Sequence, residues 1–246
     1  MSTDLLQVSK IKTSSDIPRF PSGLSFFDAF LAYHIREVLG VGGSAYVASD
    51  INGILGVFIY DGYERTGTVY TQSRKVFDYF RRFLCDAPSS YLFAEIEANL
   101  SREIFDIYST ALRDSITHNF EYEVASPKLD EIEQFMSATH SDVNPSWSKV
   151  ALQNGDKCFI VRFKDKCVGC AWVSLASGMG RLHTLYVKPE YRRMGIGEDL
   201  LFARLLWLKL KGAKLAFSEI SESNVASISI ARKANMHRSG HVYMYS

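Results

Sequence analysis

A mixed α/β protein that uses one strand-rich module twice is the fold the 246-residue sequence predicts. Three observations carry that expectation. Both halves contain short apolar segments bounded by turn residues; both read in the order strand, strand, strand, helix, strand, helix; and the second half joins its third strand to its first helix through a glycine-bearing loop. Composition agrees, with 47% apolar and 22% charged residues and 16 Phe and 13 Tyr to fill a packed core.

In the first half, two strands flank a turn at Asp50-Ile51-Asn52-Gly53, a third runs near Gly67 to Thr71, and Ser73 to Leu84 has the spacing of a helix. Tyr91 to Ile96 is apolar and aromatic enough for a strand, and Leu100 to His118 reads as a second helix. The second half repeats the order. Cys158–Phe163 and Val168–Leu175 flank Lys164-Asp165-Lys166; then come a strand at Leu182–Val187, a helix from about Gly195 to Lys211, a strand at Leu215–Ile220 and a helix at Asn224–Ala234. His241–Tyr245 alternates as a last strand.

Two local matches support duplication: Ile54-Leu55-Gly56 against Cys167-Val168-Gly169, and Glu95-Ile96 through Asn99 against Glu219-Ile220 through Asn224. The second half holds about a dozen more residues between its matches, in the stretch of the loop and the long helix. With the join near Asn119, residues 1–119 and 120–246 form the two expected modules.

Charge narrows the function classes. A net charge of +1 argues against nucleic acid as a partner, because neutralising many phosphates needs a basic surplus. Residues 1–120 carry 11 Lys plus Arg against 14 Asp plus Glu, and the remainder 17 against 13, so the positive half is the one with the loop. No apolar run approaches the roughly 20 residues that span a bilayer, and residues 1–20 have no continuous apolar segment of signal type. A cytoplasmic protein without a membrane partner is expected. Cys167-Val168-Gly169-Cys170 spells C-x-x-C, but no second ligand pair follows at zinc spacing and the segment reads as a strand, so buried strand residues and no metal are expected.

The informative segment runs from Leu182 to Glu198. Beyond Gly195, Ile196, Leu200, Ala203, Trp207 and Leu210 recur at helical steps and predict one buried face, ending at Gly212. A strand entering such a helix through glycines leaves main-chain N–H groups without intrahelical partners; with the positive end of the helix dipole they form an anion site, and Lys188, Arg192 and Arg193 add charge. A tight turn before an amphipathic helix is the plain alternative. Neither the Gly-x-x-x-x-Gly-Lys-Ser/Thr run nor the third glycine of the dinucleotide fingerprint is present.

The Arg192-x-x-Gly195-x-Gly197 signature after Leu185-Tyr186-Val187 resembles the acetyl-CoA loop of the GCN5-related N-acetyltransferase (GNAT) family, in which Gln/Arg-x-x-Gly-x-Gly/Ala precedes a long helix. The helix Asn224 to Met236 is similar to that family's Asn-x-x-Ala-x-x-Leu-Tyr-Glu-Lys-Leu-Gly-Phe segment, in the same order along the chain. The resemblance covers about residues 121–246. It implies a GNAT-like, mixed and mostly antiparallel sheet flanked by helices, in tandem here, with acetyl-CoA as cosubstrate and no metal. Main-chain groups of Leu185, Tyr186 and Val187 would pair with the pantetheine arm, the segment Arg192, Arg193, Met194, Gly195, Ile196, Gly197 and Glu198 would hold the pyrophosphate, and Asn224 would bond the pantetheine end. Asn224 also suits a helix N-cap. The first half has no glycine from Thr68 to Asn154 and is expected to be a degenerate module without a cofactor loop.

His183 is the candidate general base, four residues before Val187, in a Leu-His-x-Leu-x-Val context similar to that of the arylalkylamine acetyltransferases. A hydrogen-bonded packing histidine is the competing reading. The sequence departs from the family at Ala231, where a tyrosine hydroxyl would face the CoA sulfur; Ser227, Ser229, Tyr243 and Tyr245 are other hydroxyls near in sequence. Asn235, in place of glycine, tolerates the left-handed conformation that ends a helix. The expected activity is acetyl transfer from acetyl-CoA to a primary amine of a small molecule or peptide. The competing class, motivated by Ala231, is a non-catalytic acyl-CoA sensor. The acceptor is not specified, and a homodimer is left open.

Overall fold

The computed structural model describes residues 6–22, 27–62, 65–85, 91–98, 100, 102–112, 116–140, 144 and 146–245. Strands β1 (Gln7–Ile11), β2 (Ser44–Asp50), β3 (Gly53–Asp61), β4 (Thr66–Thr71), β5 (Tyr91–Ala94) and β6 (Arg102–Ala111) occupy the first half with helices α1 (Asp28–Gly40) and α2 (Arg74–Cys85). The second half contains β7 (Val124–Ala125), α3 (Leu129–Thr139), α4 (Trp147–Gln153), β8 (Lys157–Phe163), β9 (Lys166–Ala176), β10 (Met179–Val187), α5 (Ile196–Leu210), β11 (Leu215–Ser221), α6 (Val225–Lys233) and β12 (His237–Tyr245). Two compact units result. The first comprises Met1–Phe105, Asp142–Asn144 and His241–Ser246; the second comprises Asp106–Ser141 and Pro145–Gly240.

In the first unit the strand order is β1-β2-β3-β4-β5, and the end of β12 lies beside β5 with Tyr243 opposite Ala94 and Tyr245 opposite Leu92. The β2–β3 turn forms where expected: Asp50 Oδ1 accepts from the Asn52 amide at 2.7 Å. Phe58, Val69, Val76, Phe77, Phe80, Leu92, Tyr243 and Tyr245 make the core. Among the aromatic residues of the first half, Tyr70, Phe77 and Phe80 are buried, Tyr60 is half-buried and Tyr79 is exposed; Tyr63 and the side chain of Phe83 lie outside the described residues, as does Asn99. β4 and β5 are parallel over Thr66–Val69 and Tyr91–Ala94, and only Gln72 and Ser73 separate β4 from α2.

The helix expected at Leu100–His118 does not form. Residues Arg102–Ala111 are strand β6 instead. Ile104, Tyr108 and Leu112 do recur every fourth residue, but Ile, Phe, Tyr and Thr also favour a pleated surface, and the buried run Asp106 to Tyr108 is that of a strand with neighbours on both edges.

In the second unit the order is β12-β6-β11-β10-β9-β8-β7, antiparallel from β7 through β10 and parallel between β10 and β11. Lys164 and Asp165 take φ of 49° and 60° and close the β8–β9 hairpin. α5 lies on β8, β9 and β10. Gly180 permits that approach, since a Cβ there would stand 2.2 Å from Leu208. Leu182, Leu201, Leu205 and Leu208 pack with Ala216, Ile220 and Ala231, while Ile196 and Leu200 pack with Val161, Val168 and Ala171. Of the expected buried stripe of α5, Ile196, Leu200 and Ala203 are inside, but Leu201, Leu205 and Leu208 are inside as well, Trp207 is half-buried and Leu210 is 86% exposed. The helix does end at Gly212, with φ of 76° and the Ala213 amide bonded back to Leu208. Asn235, at φ 55°, ends α6 in the same way. No helix among the described residues is long and apolar enough to cross a membrane.

Candidate active site

Three pieces of the second unit converge: the end of β10, the loop from Lys188 to Gly195, and the outer face of α6. β10 pairs with β11 only through Met179, Gly180 and Arg181. Ser218 Oγ donates to the Leu182 carbonyl at 2.8 Å, just past the last paired residue. Beyond this point β10 carries a bulge: His183 faces Trp172 and Tyr186 faces Cys170, so two residues stand opposite one. Thr184 takes φ of 48°, a left-handed conformation costly for a β-branched residue. The Lys188 amide donates to Val168 and Tyr186 opposes Cys170, so Leu185 and Val187 turn their main-chain groups away from β9, toward the side where β11 has ended. This is an open strand edge inside a sheet, suited to an amide-bearing chain.

The loop then enters α5. Arg193 and Gly195 take φ of 64° and 80°. The Glu198 and Asp199 amides bond to the Gly195 carbonyl, whereas those of Arg193, Met194, Gly195, Ile196 and Gly197 find no backbone acceptor among the described residues. A Cβ on Gly195 would meet the Glu121 carboxylate at 2.8 Å; one on Gly197 would meet Ile230 at 3.1 Å and lie 3.8 Å from Leu185. The loop is thereby tied to α6 and to the end of β10, and Lys233 pairs with Glu198 at 2.6 Å. Beside it, Val225, Ile228, Ser229, Arg232 and Lys233 line an open cleft of about 540 Å³.

The residues singled out in the sequence take different places. Ile196 is buried in the core, so only its amide can meet a ligand, while Arg193 and Met194 are exposed. Arg192 turns back on the strand: its Nε donates to the Val187 carbonyl at 3.0 Å and its guanidinium lies 5.8 Å from the Tyr186 ring centroid. Asn224 is the N-cap of α6, its Oδ1 accepting from the Ser227 amide at 3.1 Å, which leaves its NH2 group to donate elsewhere. Ala231 is buried among Leu201, Ile220 and Met236 rather than facing the cleft. Ser229, of the hydroxyls considered, lies on the cleft wall.

His183 occupies a polar niche between sheet and α4. Its Nε2 is 2.8 Å from Ser174 Oγ and 3.5 Å from Asp156 Oδ2, its Nδ1 is 3.2 Å from Thr184 Oγ1, and the Trp147 ring stands edge-on at 5.9 Å. Burial lowers its pKa below the ordinary 6.5, with Asp156 opposing that shift and Arg181 and Arg204 adding to it. The imidazole is neutral at pH 7 and able to accept a proton.

Sequence reasoning did not find three charged residues that the fold buries here. Arg204 on α5 donates to the carbonyls of Leu200, Trp172 and His183 at 3.1, 3.2 and 3.3 Å, and so spans the helix and both sides of the bulge. Asp199, in the first turn of α5, accepts from His118 Nε2 at 2.6 Å and from the amides of Glu121 and Tyr122. Asp156 follows the left-handed Gly155 and lies under α4 with its side chain wholly enclosed. None has a motif; burial of a charge is set by chain segments far apart in sequence. The thiols play a different part. Burial pushes Cys167 up to about 11 and Cys170 up to about 12, and Cys158 higher still, so none is a thiolate at neutral pH. Among the described residues no His, Cys, Asp or Glu cluster could hold a metal ion.

No curated protein is significantly similar to the sequence. Among solved structures, similarity extends to the GCN5-related N-acetyltransferase from Sphaerobacter thermophilus, at TM-score 0.60 and 14% identity over 81% of this chain and 79% of that one. A tandem GNAT protein from the clavulanic acid biosynthesis pathway matches at TM-score 0.61 and 12% identity over 98% of both chains. A GCN5-related N-acetyltransferase from Kribbella flavida matches at 0.54 and 13%, over 77% and 85%. At such identities the likeness is one of fold. The sequence model of the Acetyltransferase (GNAT) family matches residues 110–236, just over half of the chain, and spans the open strand edge, the loop, α5 and α6. The chain belongs to the GNAT acetyltransferase family.

Proposed function

We propose that the second unit transfers an acetyl group from acetyl-CoA to a primary amine, with His183 as the general base. The observation that carries this reading is the run of five unpartnered amides from Arg193 to Gly197, at the positive end of α5 and continuous with the open edge of β10. These donors suit a pyrophosphate, and the edge at Leu185 and Val187 suits the amides of the pantetheine arm. Asn224 keeps a donor for the same arm.

The reaction needs the acceptor nitrogen deprotonated. A neutral His183 takes that proton, the nitrogen lone pair attacks the thioester carbonyl, the adduct's nitrogen gives a second proton to solvent, and the C–S bond breaks on collapse of the tetrahedral adduct. Ala231 offers no hydroxyl to the departing sulfur. A thiolate whose conjugate acid has a pKa of about 8.5 leaves without one and takes its proton from solvent.

The first unit is read as a copy of the same module that has lost the cofactor loop. Its β2-β3-β4-α2-β5 order parallels β8-β9-β10-α5-β11. Two residues connect β4 to α2, against eight between β10 and α5, and Thr71 Oγ1 already accepts the Ser73 amide at 2.9 Å. No amide cradle remains there for a phosphate.

The test is calorimetric CoA binding together with thiol release from acetyl-CoA over a panel of amines. Release with at least one primary amine, abolished by His183→Gln and spared by Cys167→Ala, is the expected result. Binding without release on every amine would favour a sensor, and absence of binding would reject both.

A further inference from the structure

Asp156 is the charged side chain that the reaction outlined above leaves without a task. Its side chain has 0% exposure, and among the described residues neither carboxylate oxygen has a partner at ordinary hydrogen-bond geometry. A carboxylate so enclosed is costly unless a cation or a polarised N–H faces it. The segment bearing it is fixed, because the Asp156 amide bonds to the Ala151 carbonyl at the end of α4. The nearest nitrogen in an ion pair with it is His183 Nε2, at 3.5 Å.

We propose that Asp156 is a positioning residue for His183: it holds the proton on Nε2 and thereby presents Nδ1, beside Thr184, as the nitrogen that receives the acceptor's proton. This rests on the acetyl-transfer reading for its purpose, though not for its geometry. A carboxylate accepts hydrogen bonds and cannot donate them, so it favours the tautomer with N–H on its own side. Ser174 Oγ, 2.8 Å from the same Nε2, can accept from that N–H or turn aside, so it is compatible with this tautomer. The lone pair then lies on Nδ1, 3.2 Å from Thr184 Oγ1.

The bulge explains why that nitrogen is the useful one. Thr184 holds a left-handed φ of 48°, which is where β10 parts from regular pairing, and its hydroxyl sits next to Nδ1. A proton leaves the acceptor nitrogen and reaches Nδ1, directly or through the Thr184 hydroxyl, which gains that proton as it passes its own on. The imidazolium so formed keeps its Nε2–H toward Asp156, and the proton on Nδ1 later returns to solvent. No other atom changes its charge state in the step.

The charged groups acting on His183 come from three elements. Arg181 on β10 and Arg204 on α5 both disfavour the imidazolium, and Asp156 ahead of β8 favours it. Removing the Asp156 charge while keeping its shape therefore leaves His183 with two cations and burial against it.

Protein labelled with 15N-histidine provides the test, with His183 signals assigned by their loss in His183→Gln. Long-range 1H–15N spectra of the wild type across pH should report Nε2–H in the neutral form. In Asp156→Asn the His183 titration should move to lower pH, and the acid limb of acetyl transfer should move with it. A wild-type ring protonated on Nδ1 overturns the proposal. So does a folded Asp156→Asn protein with an unchanged His183 titration, the outcome of a merely structural carboxylate. If that variant fails to fold, the wild-type tautomer decides alone, and Ser174→Ala should leave it on Nε2–H. The spectra need no turnover, so absence of acetyl transfer with every amine would sink the functional reading while leaving this result readable.

Discussion

The guanidinium of Arg204 donates to the carbonyl of His183 at 3.3 Å from within the core, joining the helix behind the anion loop to the residue that begins the strand bulge. Arg204 is 3% exposed and has no carboxylate partner among the described residues, so its charge is met by main-chain oxygens alone. Burial pulls its pKa down to about 9, which still leaves it charged at neutral pH. One rigid element thus fixes both the loop and the bulge.

Replacing Arg204 by Met should remove the guanidinium donor from the Trp172 and His183 carbonyls. A loss of about 3 kcal/mol in chemical unfolding is expected, together with weaker CoA binding, since the bulge is no longer braced. Unchanged stability would mean that the bulge holds by itself.

Asp199 performs a similar task at the other edge of the loop. Asp199→Ala removes the acceptor for two amides and for His118, and should destabilise by about 2–4 kcal/mol. Amide exchange at Glu121 and Tyr122 should speed up more than exchange in β8 or β9. Equal protection in both places would contradict the assignment.

The pH dependence of transfer follows from His183. Its pKa lies below 6.5 because burial disfavours the imidazolium, so the neutral base predominates above that pH, and the rate should fall as the pH drops through the lowered value. Stability should decline over the same fall from pH 6.5, because the unfolded chain takes up a proton that the folded one resists. His183→Gln should reduce transfer about 100-fold or more, erase the acid limb and leave CoA binding intact. An acid limb that survives the substitution would place the base elsewhere.

The cysteines should be silent. With Cys167 raised to about 11 and Cys170 to about 12, alkylation at pH 8 should be slow in the folded protein, and Cys167→Ala should keep full activity. Rapid alkylation accompanied by loss of transfer would restore a thiol mechanism.

How much of this was legible beforehand depended on range. The Gly195 loop, the end of α5 at Gly212 and the left-handed Asn235 are local features, and each took the conformation its residue type implies. The β8–β9 hairpin was equally plain. Residues 102–111 were not, because Ile104, Tyr108 and Leu112 satisfy a helical period while the same segment satisfies a strand, and only its neighbours decide between them. Ile196, Leu200 and Ala203 face inward as a helical wheel implies, but toward the end of α5 the core contacts come from Leu205 and Leu208 and leave Leu210 exposed. Asp156, Asp199 and Arg204 carry no pattern at all. Each draws its role from a partner on another element: Asp156 from His183, Asp199 from His118 and Arg204 from Trp172.

The central claim is that the amides from Arg193 to Gly197 grip the coenzyme's diphosphate. Calorimetric titration of CoA into the wild type, Gly195→Val and Gly212→Val tests it most directly. Gly195 and Gly212 share nearly the same left-handed φ, 80° and 76°, but only the first lies in the loop, so Gly212→Val controls for backbone strain. The account predicts a loss of about tenfold or more in affinity for Gly195→Val, about 1.4 kcal/mol at the least, with Gly212→Val near wild type. Equal affinity in all three folded proteins would contradict it.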